Sequence, residues 1–379
     1  MKIAFLTHNS YDMLTDREDG IVGGAQLQQI LIGRELAARG HEVVFVENDA
    51  PHKRERTVDG IEIVCKSRPT EGRLPIRAGR WVSNTLGALR RVDPDICYCR
   101  VLGVDLIPTA LYCTVTDTGF IYGFAHDSEV SDDPVIFDTA LTESRPFQRA
   151  IRWSLEQTDA LIAQNEHQAK GSRRRFSVPV HRIPNAYERP DVDPKPSLAE
   201  SDQPVVLWVA RVTEWKRPGL VLDLAAAIPE ARFVLVGPPV DDEPDLLREV
   251  ETRTQSLDNA DYVGFVPYGD IDAYFAAADI FLNTSREEGF PNTFLQAWAT
   301  GTPVASLAVD PDEIVADHDL GCVAGGSMSR LEDCLRGLVT DWDNRTGASE
   351  AAFAYFQANY TVDLIVDRYE DLFTEIGNQ

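Results

Sequence analysis

Long hydrophobic runs are absent from this chain of 379 residues. No apolar segment approaches the roughly 18 residues that a membrane-spanning helix needs. Residues 1–8 form an apolar run that is too short for a signal peptide, and they predict a first strand. We therefore expect a cytoplasmic protein without a transmembrane segment, in which any membrane contact is peripheral.

Lysine is scarce, and nearly all cations are arginines, while the net charge is −25 and the isoelectric point is near 4.6. Such a charge excludes nucleic acid as a partner that is held by bulk electrostatics. An acidic, lysine-poor surface is typical of proteins from a salt-saturated cytoplasm, so we predict a halophilic protein. The alternative is an acidic protein without that adaptation. The lysines are Lys2, Lys53, Lys66, Lys170, Lys195 and Lys216.

The cysteines carry no metal-binding spacing, since one C-x-C pair, Cys97 and Cys99, has neither a second pair nor adjacent histidines. We expect them to be small buried side chains rather than metal ligands. The first strand is not followed directly by a G-x-G-x-x-G motif, which makes a dinucleotide cofactor improbable. We assign no Asp-x-Asp pair to a divalent metal ion, and we expect no metal site.

The alternation of short apolar runs with amphipathic stretches predicts an α/β protein, and the length suits two domains. Residues 189–204 are rich in Pro, Asp and Ser and lack periodicity, so we predict a linker there. The domains would then be 1–188 and 205–354, with a largely helical C-terminal segment at about 355–379.

One stretch, residues 285–304, combines a carboxylate-rich loop, a glycine and a helix between two apolar runs that predict strands. Parallel sheets bind ligands in loops of this kind, at the carboxyl ends of their strands. The start of the helix offers backbone N–H groups to an anion. The stretch is therefore the first candidate for a binding site.

This stretch resembles the E-x7-E signature of the retaining glycosyltransferases of family four, which reads Ser-x-x-Glu-Gly-Phe-Pro-Asn-x-x-x-Glu-Ala. Glu288 matches the first glutamate, whereas Gln296 occupies the position of the second. The resemblance covers nearly the whole chain and is strongest over residues 211–306. It implies the GT-B architecture: two facing Rossmann-like, doubly wound α/β domains with a cleft between them, and a C-terminal helix that returns to the first domain.

Further residues match the family's pattern one by one. Gly23 and Gly24 correspond to a glycine pair that approaches the donor's phosphates or sugar, although they could also form a flexible turn. Arg211 and Lys216 correspond to the two cations that hold the donor diphosphate, with a solvated pair as the alternative. His126 corresponds to a histidine at the sugar site, with a loop-capping role as the alternative.

The resemblance implies a retaining reaction that needs neither a metal nor another cofactor, because protein cations and a helix dipole neutralise the departing diphosphate. Glu288 would lie near the donor sugar's hydroxyls, and His126 near the reacting carbon. Arg211 and Lys216 would act with four residues at the helix start: Phe290, Pro291, Asn292 and Thr293.

Gln296 is the departure from the pattern. In the family, the second glutamate accepts hydrogen bonds from both ribose hydroxyls, whereas a carboxamide oxygen would accept one and its N–H group would meet the other. Loss of one charge-assisted hydrogen bond costs on the order of 1–3 kcal/mol. We expect Gln296 to contact the ribose and to weaken donor binding without abolishing it.

These features predict a glycosyltransferase of the hexosyltransferase type, which moves a sugar from a nucleoside-diphosphate-sugar to an unidentified glycan, lipid-linked sugar or small molecule. The main alternative is a non-catalytic nucleotide-sugar-binding protein with a degenerate donor site. A nucleotide-sugar epimerase lacks an identifiable acid/base set here, and a pyridoxal-phosphate phosphorylase lacks a suitable lysine. A basic segment at 66–91 could line a groove for an anionic acceptor or form a solvated helix face.

Overall fold

The computed structural model describes residues 1–8, 10–15, 23–49, 56–69, 73–131, 144–240 and 243–378. The chain divides into two compact units. The first unit contains Met1–Ala186 together with Val362–Gln379, and the second contains Tyr187–Thr361. Among the described residues, no helix is both long and apolar enough to cross a membrane.

Within the described residues, the first unit has an eight-stranded sheet in the order β3-β4-β2-β1-β5-β6-β7-β8, parallel except between β3 and β4. The strands are β1 Lys2–Leu6, β2 Glu42–Asn48, β3 Thr57–Val58, β4 Ile61–Lys66, β5 Ile96–Arg100, β6 Gly119–Gly123, β7 Ala160–Ala163 and β8 Val180–Arg182. The helices that connect them are α1 Ser10–Leu14, α2 Gly24–Ala38, α3 Leu74–Val92, α4 Leu106–Thr116, α5 Arg145–Glu156 and α6 Glu166–Arg175.

The second unit has a six-stranded parallel sheet in its described part, in the order β11-β10-β9-β12-β13-β14. Its strands are β9 Val205–Val209, β10 Arg232–Val236, β11 Ala260–Gly264, β12 Ile280–Asn283, β13 Val304–Ser306 and β14 Gly321–Val323. Its helices are α7 Pro196–Ala199, α8 Pro218–Ala227, α9 Pro244–Thr254, α10 Tyr268–Ala276, α11 Asn292–Ala299, α12 Ile314–Asp317, α13 Met328–Thr340 and α14 Trp342–Asn359.

The central strands are buried on both faces, which explains why they are continuous apolar runs rather than alternating ones. All five residues of β5 are buried, and Cys97 and Cys99 join one core cluster through the same face of that strand. In the second unit, Val206 and Trp208 of β9 pack into a core with helices α8 and α13. The prediction of an α/β protein with two Rossmann-like domains is confirmed.

In each sheet, the strand that comes first in the chain has its successors on both sides, so that the strand order changes direction there. In the first unit β1 lies between β2 and β5, and in the second unit β9 lies between β10 and β12. Open α/β sheets bind ligands at the carboxyl ends of their strands where the order reverses, because the connections leave on opposite faces and open a crevice. The two reversal points are therefore the places at which ligand sites are expected.

Three details differ from the sequence-based expectations. The C-terminal segment is not one helix from about 355, because α14 ends at Asn359 and a separate helix, α15, spans Val362–Gly377. Residues 189–204 include the short helix α7 and belong to the second compact unit. Cys322 and Cys334 form a disulfide between β14 and α13 instead of remaining free.

Candidate functional site

The loops that follow β9 and β12 are hydrogen-bonded to each other at the reversal point of the second sheet. The indole of Trp208 donates to the Thr284 hydroxyl at 3.0 Å, and that hydroxyl donates to the Lys216 carbonyl at 2.6 Å. Arg217 donates from Nε to the Thr284 carbonyl at 2.6 Å and from Nη2 to the Ser285 carbonyl at 2.8 Å. These bonds hold the two strand ends in one fixed arrangement.

The predicted site residues did not include Arg217, because the family's pattern places the diphosphate-binding cation at its neighbour Lys216. Its backbone adopts a left-handed conformation with φ of 53°, which is costly for a residue with a side chain. Its guanidinium reaches the loop after β12, where it satisfies two carbonyl groups. Arg217 is thus a structural cation next to a candidate ligand-binding one.

Two predicted site residues from different loops meet at this point. Lys216, after β9, forms an ion pair through Nζ with Oε1 of Glu288, after β12. Their side chains are 22% and 15% exposed, so the pair is largely shielded while remaining accessible. The carboxylate orients the ammonium group, and a charged pair of this kind can offer a cation to phosphate oxygens and an acceptor to hydroxyl groups.

Arg211 also follows β9, and it is exposed. Its loop is held by the segment that follows the neighbouring strand β10, because the Val212 amide donates to the Pro238 carbonyl at 2.9 Å. Gly237 makes this approach possible: it has φ of 149°, and an added Cβ would lie 1.8 Å from the Ala210 carbonyl oxygen. The close contact requires glycine at the carboxyl end of β10.

The helix that follows Glu288, α11, begins with Asn292, and Pro291 is its N-cap residue and provides no side-chain cap. Phe290 is buried, with its ring 5.3 Å from that of Tyr360. This contact anchors the loop at the start of the helix. The predicted diphosphate-binding residues 290–293 therefore include the positive end of a helix dipole.

Gln296 is buried on α11 and belongs to a hydrogen-bonded network. Its Nε2 donates to the Tyr187 hydroxyl at 3.2 Å and lies 3.4 Å from Oδ1 of Asp272. The Tyr187 hydroxyl donates to both Asp272 oxygens, at 2.9 and 3.1 Å, and accepts from the Tyr268 hydroxyl at 3.0 Å. Burial raises the pKa of Asp272, which the hydrogen bonds from Tyr187 and Gln296 partly offset.

Asp272 and Tyr187 were not found by sequence reasoning. Both belong to the second unit but are remote from Gln296 in the chain, and no motif marked them. Their contact with Gln296 gives a reason for the glutamine: a carboxylate already stands beside position 296, so an amide that donates is complementary to it. The ribose contact of Gln296 remains a prediction.

In the first unit, Gly23 and Gly24 lie at the start of α2, with Gly23 as its N-cap residue. Neither has a positive φ, so a left-handed turn does not explain them. An added Cβ at Gly23 would lie 2.1 Å from the Gln26 side-chain oxygen. Their position at a helix N-terminus suits an anion or a sugar, and this role stays a prediction.

His126 follows β6 and caps a 3-10 helix at Asp127–Val130. Its Nδ1 accepts from the Ser128 amide at 3.1 Å, and a backbone amide can only donate, so neutral His126 carries its proton on Nε2. Glu129 completes the cap, accepting from the amides of Ala125 at 3.2 Å and His126 at 3.1 Å. The loop-capping role is therefore observed, and it also fixes the ring as a donor through Nε2.

Glu129 is fully buried behind this loop, and its Oε2 accepts from the Tyr122 hydroxyl at 2.5 Å. Burial raises its pKa to about 7, although the hydrogen bonds of Tyr122, Ala125 and His126 and the charge of Arg100 favour its ionised form. Sequence reasoning missed this residue because an isolated glutamate after a short strand carries no motif. Its effect is to hold the His126 loop.

The basic segment at 66–91 does not act as one surface. Lys66 is buried and forms an ion pair with Asp105 at 2.9 Å, which removes it from any groove for an anion. Arg77, Arg80 and Arg90 lie exposed on α3, as expected for a solvated helix face. Lys66 therefore does not line a groove for an anionic acceptor.

Family models match most of the chain. Residues 22–189 match the model described as Glycosyltransferase Family 4, and residues 203–341 match the one described as Glycosyl transferases group 1. A lipopolysaccharide core biosynthesis glycosyltransferase of Rhizobium meliloti is 26% identical over 174 residues, which are 45% of this chain and 50% of that enzyme. The match thus spans half of the length of this curated relative.

Two solved structures have a similar fold over 99% of the chain. Sucrose-phosphate synthase from Thermosynechococcus elongatus superposes with a TM-score of 0.83 at 16% identity, over 99% of its own chain. Anabaena HepE in complex with UDP and glucose superposes with a TM-score of 0.75 at 18% identity, over its full chain. The family models and the fold together show that the chain belongs to the glycosyltransferases of the GT-B type.

Proposed function

We propose that this protein is a retaining, metal-independent glycosyltransferase that transfers a sugar from a nucleoside-diphosphate-sugar to a hydroxyl-bearing acceptor. The observation that carries the proposal is the Lys216–Glu288 pair at the reversal point of the second sheet, followed directly by the N-terminus of α11. Cation, helix dipole and carboxylate are the groups that a departing diphosphate and a sugar require.

In the proposed mechanism, Lys216, Arg211 and the amides at 290–293 bind the diphosphate and stabilise its negative charge as the glycosidic bond breaks. Glu288 accepts hydrogen bonds from the sugar's hydroxyls and keeps Lys216 oriented. His126 donates from Nε2 near the reacting carbon. The Lys216–Glu288 pair and the cap at His126 Nδ1 fix the atoms that three of these residues would use.

UDP-sugars are the first donors to test, since a structural relative was solved in complex with UDP and glucose. The curated relative acts in lipopolysaccharide core biosynthesis, so a glycan acceptor follows as the first class to try. We also propose that the protein is cytoplasmic and, from its acidic and lysine-poor composition, that it is halophilic.

Binding of UDP, GDP, ADP, TDP and their sugars, measured by thermal shift in molar KCl with and without EDTA, tests the donor site. We expect one base to stabilise the protein and EDTA to leave that shift unchanged. A shift that disappears with EDTA would contradict metal independence. Absence of any shift would contradict the donor site.

Replacement of Lys216 by alanine should lower the affinity for the stabilising nucleotide by about tenfold to a hundredfold, because one hydrogen bond between charged groups is lost. Titration calorimetry measures the change. Lys170→Ala is the matched control, because Lys170 is an exposed helix residue with a carboxylate, Glu166, 3.9 Å away. Equal affinities of the two variants would contradict the assignment of Lys216.

A non-catalytic nucleotide-sugar-binding protein is the second candidate, and it is favoured by Gln296, which occupies the position of the family's second glutamate. Both candidates predict nucleotide binding, but only a transferase releases the free diphosphate from its sugar donor. Product analysis of the anomeric linkage would then distinguish retention from inversion.

A further inference from the structure

The disulfide between Cys322 and Cys334 takes no part in the proposed donor chemistry. It joins β14, an edge strand of the second sheet, to the middle of α13, and its two Cα atoms lie 6.4 Å apart. That separation lies within the range of native disulfides. The bond closes a loop with a sequence separation of 12, and this loop contains the turn from β14 into α13.

The core of the second unit does not depend on this bond. Cys322 and Cys334 are half-buried and pack against a large hydrophobic cluster that includes Val206, Phe233 and Leu335. Disulfides are needed for folding chiefly in small domains that lack a sufficient core. Reduced thiols would keep the same apolar contacts, because a thiol behaves as a small hydrophobic group. We therefore expect the unit to stay folded when the bond is reduced.

The other four cysteines are thiols, and three of them lie in a different environment. Cys97, Cys99 and Cys113 are buried in the core of the first unit. Burial raises the pKa of the Cys97 and Cys99 thiols, which keeps them protonated and poorly reactive. The disulfide lies instead at a sheet edge, and the exposed residues Gly325 and Gly326 follow its strand. It is therefore the more accessible target for a reductant in solution.

The loop that the disulfide closes is hydrogen-bonded to the end of the neighbouring strand, β13. The Ala324 amide donates to the Ser306 carbonyl at 2.9 Å, and the Gly326 amide donates to the Leu307 carbonyl at 2.6 Å. Gly325 and Gly326 have φ of 57° and 84°, in the left-handed region that favours glycine. The disulfide thus restrains a glycine turn on which both hydrogen bonds depend.

Further hydrogen bonds connect this turn to the candidate donor site. The Leu307 amide donates to the Asn283 carbonyl at 2.9 Å, at the end of β12. The Asn283 side chain accepts from the Ser285 amide at 3.2 Å, and all three residues are buried. Ser285 begins the loop that carries Glu288, the partner of Lys216. A continuous series of hydrogen bonds therefore joins the disulfide-closed loop to the donor loop.

We propose that Cys322 and Cys334 form a redox modification site, at which a dithiol reductant opens the disulfide, releases the β14–α13 turn and weakens the donor site. In a cytoplasm, where thiols are kept reduced, a disulfide is usually redox-sensing or catalytic. The choice of a dithiol as reaction partner rests on the proposed cytoplasmic location. The effect on the donor site rests on the proposed transferase function.

The reaction is a thiol–disulfide exchange in two steps. A thiolate of the dithiol attacks one sulfur of the disulfide, the S–S bond breaks, and the other cysteine leaves as a thiolate. The second thiolate of the reductant then attacks the mixed disulfide and displaces the remaining cysteine. The two cysteines are reduced and take up the two protons that the dithiol has lost, and the dithiol is oxidised to a disulfide.

Peptide mapping of the full chain tests the redox site. The folded protein is equilibrated with oxidised glutathione or with dithiothreitol, alkylated, and cleaved with trypsin, which places the two cysteines in peptides 287–330 and 331–336. We expect a disulfide-linked pair of these peptides after oxidation and two alkylated peptides after reduction. Thiols at both positions after oxidation, or a disulfide that dithiothreitol reduces only in urea, would overturn the proposal.

Reduction should lower the melting temperature by about 5–10 °C, because a disulfide that closes a loop of this size restrains the unfolded chain. Differential scanning calorimetry measures the change. The double variant Cys322→Ala with Cys334→Ala should not respond to dithiothreitol, whereas Cys65→Ala, at a half-buried thiol of β4, should respond like the wild type. Equal responses of the double variant and the wild type would overturn the proposal.

Titration calorimetry with UDP tests the link to the donor site. We expect reduction to raise the dissociation constant about fivefold to tenfold in the wild type and to leave it unchanged in the double variant. Equal affinities of the oxidised and reduced wild-type protein would overturn the effect on the donor loop. If UDP binds in neither state, the donor proposal fails, while the peptide map and the melting temperature still decide the redox site.

Discussion

Single residues decide how far a family pattern can be carried over to this chain. Position 296 departs from the pattern. The glutamine found there has a partner, since its amide lies 3.4 Å from Oδ1 of Asp272. A glutamate there would place two carboxylates in one buried network. The glutamine is therefore complementary to its surroundings in this protein.

The variant Gln296→Glu should be destabilised by about 1–3 kcal/mol at pH 8, because like charges meet and the hydrogen bond donated by the amide is lost. Lower pH should reduce the effect, since protonation of one carboxyl group restores a donor. Urea unfolding at pH 5 and pH 8 measures both.

The double variant Gln296→Glu with Asp272→Asn exchanges the amide and the carboxylate. It should recover most of the lost free energy of unfolding at pH 8. A stable single variant, or a double variant that is less stable than the single one, would show that the two side chains do not interact as described.

At the scale of elements, strand ends and helix caps hold the candidate residues. The loop after β6 is an example, in which Glu129 and His126 together cap a 3-10 helix. Glu129 interacts with the Tyr122 hydroxyl, with the charge of Arg100 and with the amides of Ala125 and His126.

The pKa of Glu129 predicts a pH dependence of stability. With a pKa of about 7 in the folded state against an ordinary value of 4.5, the folded chain keeps this proton between pH 4.5 and 7 while the unfolded chain releases it. The free energy of unfolding therefore falls as pH rises through that window, by up to about 3 kcal/mol.

Glu129→Gln should remove this dependence, because an amide accepts the same backbone hydrogen bonds without ionising. Urea unfolding at pH 4.5 and pH 8 measures the difference between variant and wild type. Glu156→Gln, at an exposed i,i+4 pair with Arg152, is the control. The prediction is contradicted if the free energy of unfolding falls as much between pH 4.5 and pH 8 in Glu129→Gln as it does in the control. Glu129 would then ionise at its ordinary pKa in the folded state.

At the scale of the whole molecule, a net charge of −25 sets the response to salt. Repulsion among carboxylates opposes the compact state, and at 1 M salt the screening length is about 3 Å. We expect the melting temperature to rise by about 5 °C or more between 0.1 and 2 M KCl. Calorimetry with sucrose as an uncharged control measures this, and a melting temperature independent of KCl would contradict the halophilic interpretation.

The sequence by itself determined the α/β class, because the periodicity of strands and helices is local in the chain. The GT-B fold and the chain positions of the candidate residues followed from the family resemblance, because its motifs are local as well. Glu288 and Lys216 could be named from their neighbours in sequence. The break between α14 and α15 was not predicted, since Tyr360 and Thr361 carry no strong stop signal.

Only the tertiary structure decided which residues face each other. The Lys216–Glu288 pair, the contact of Gln296 with Asp272 and the approach of His8 to Asp105 each join segments far apart in the chain. Such contacts depend on strand order, which places β1 beside β5 and β9 beside β12. A carboxylate or an imidazole acquires its role from the group opposite it, and local sequence does not encode that group.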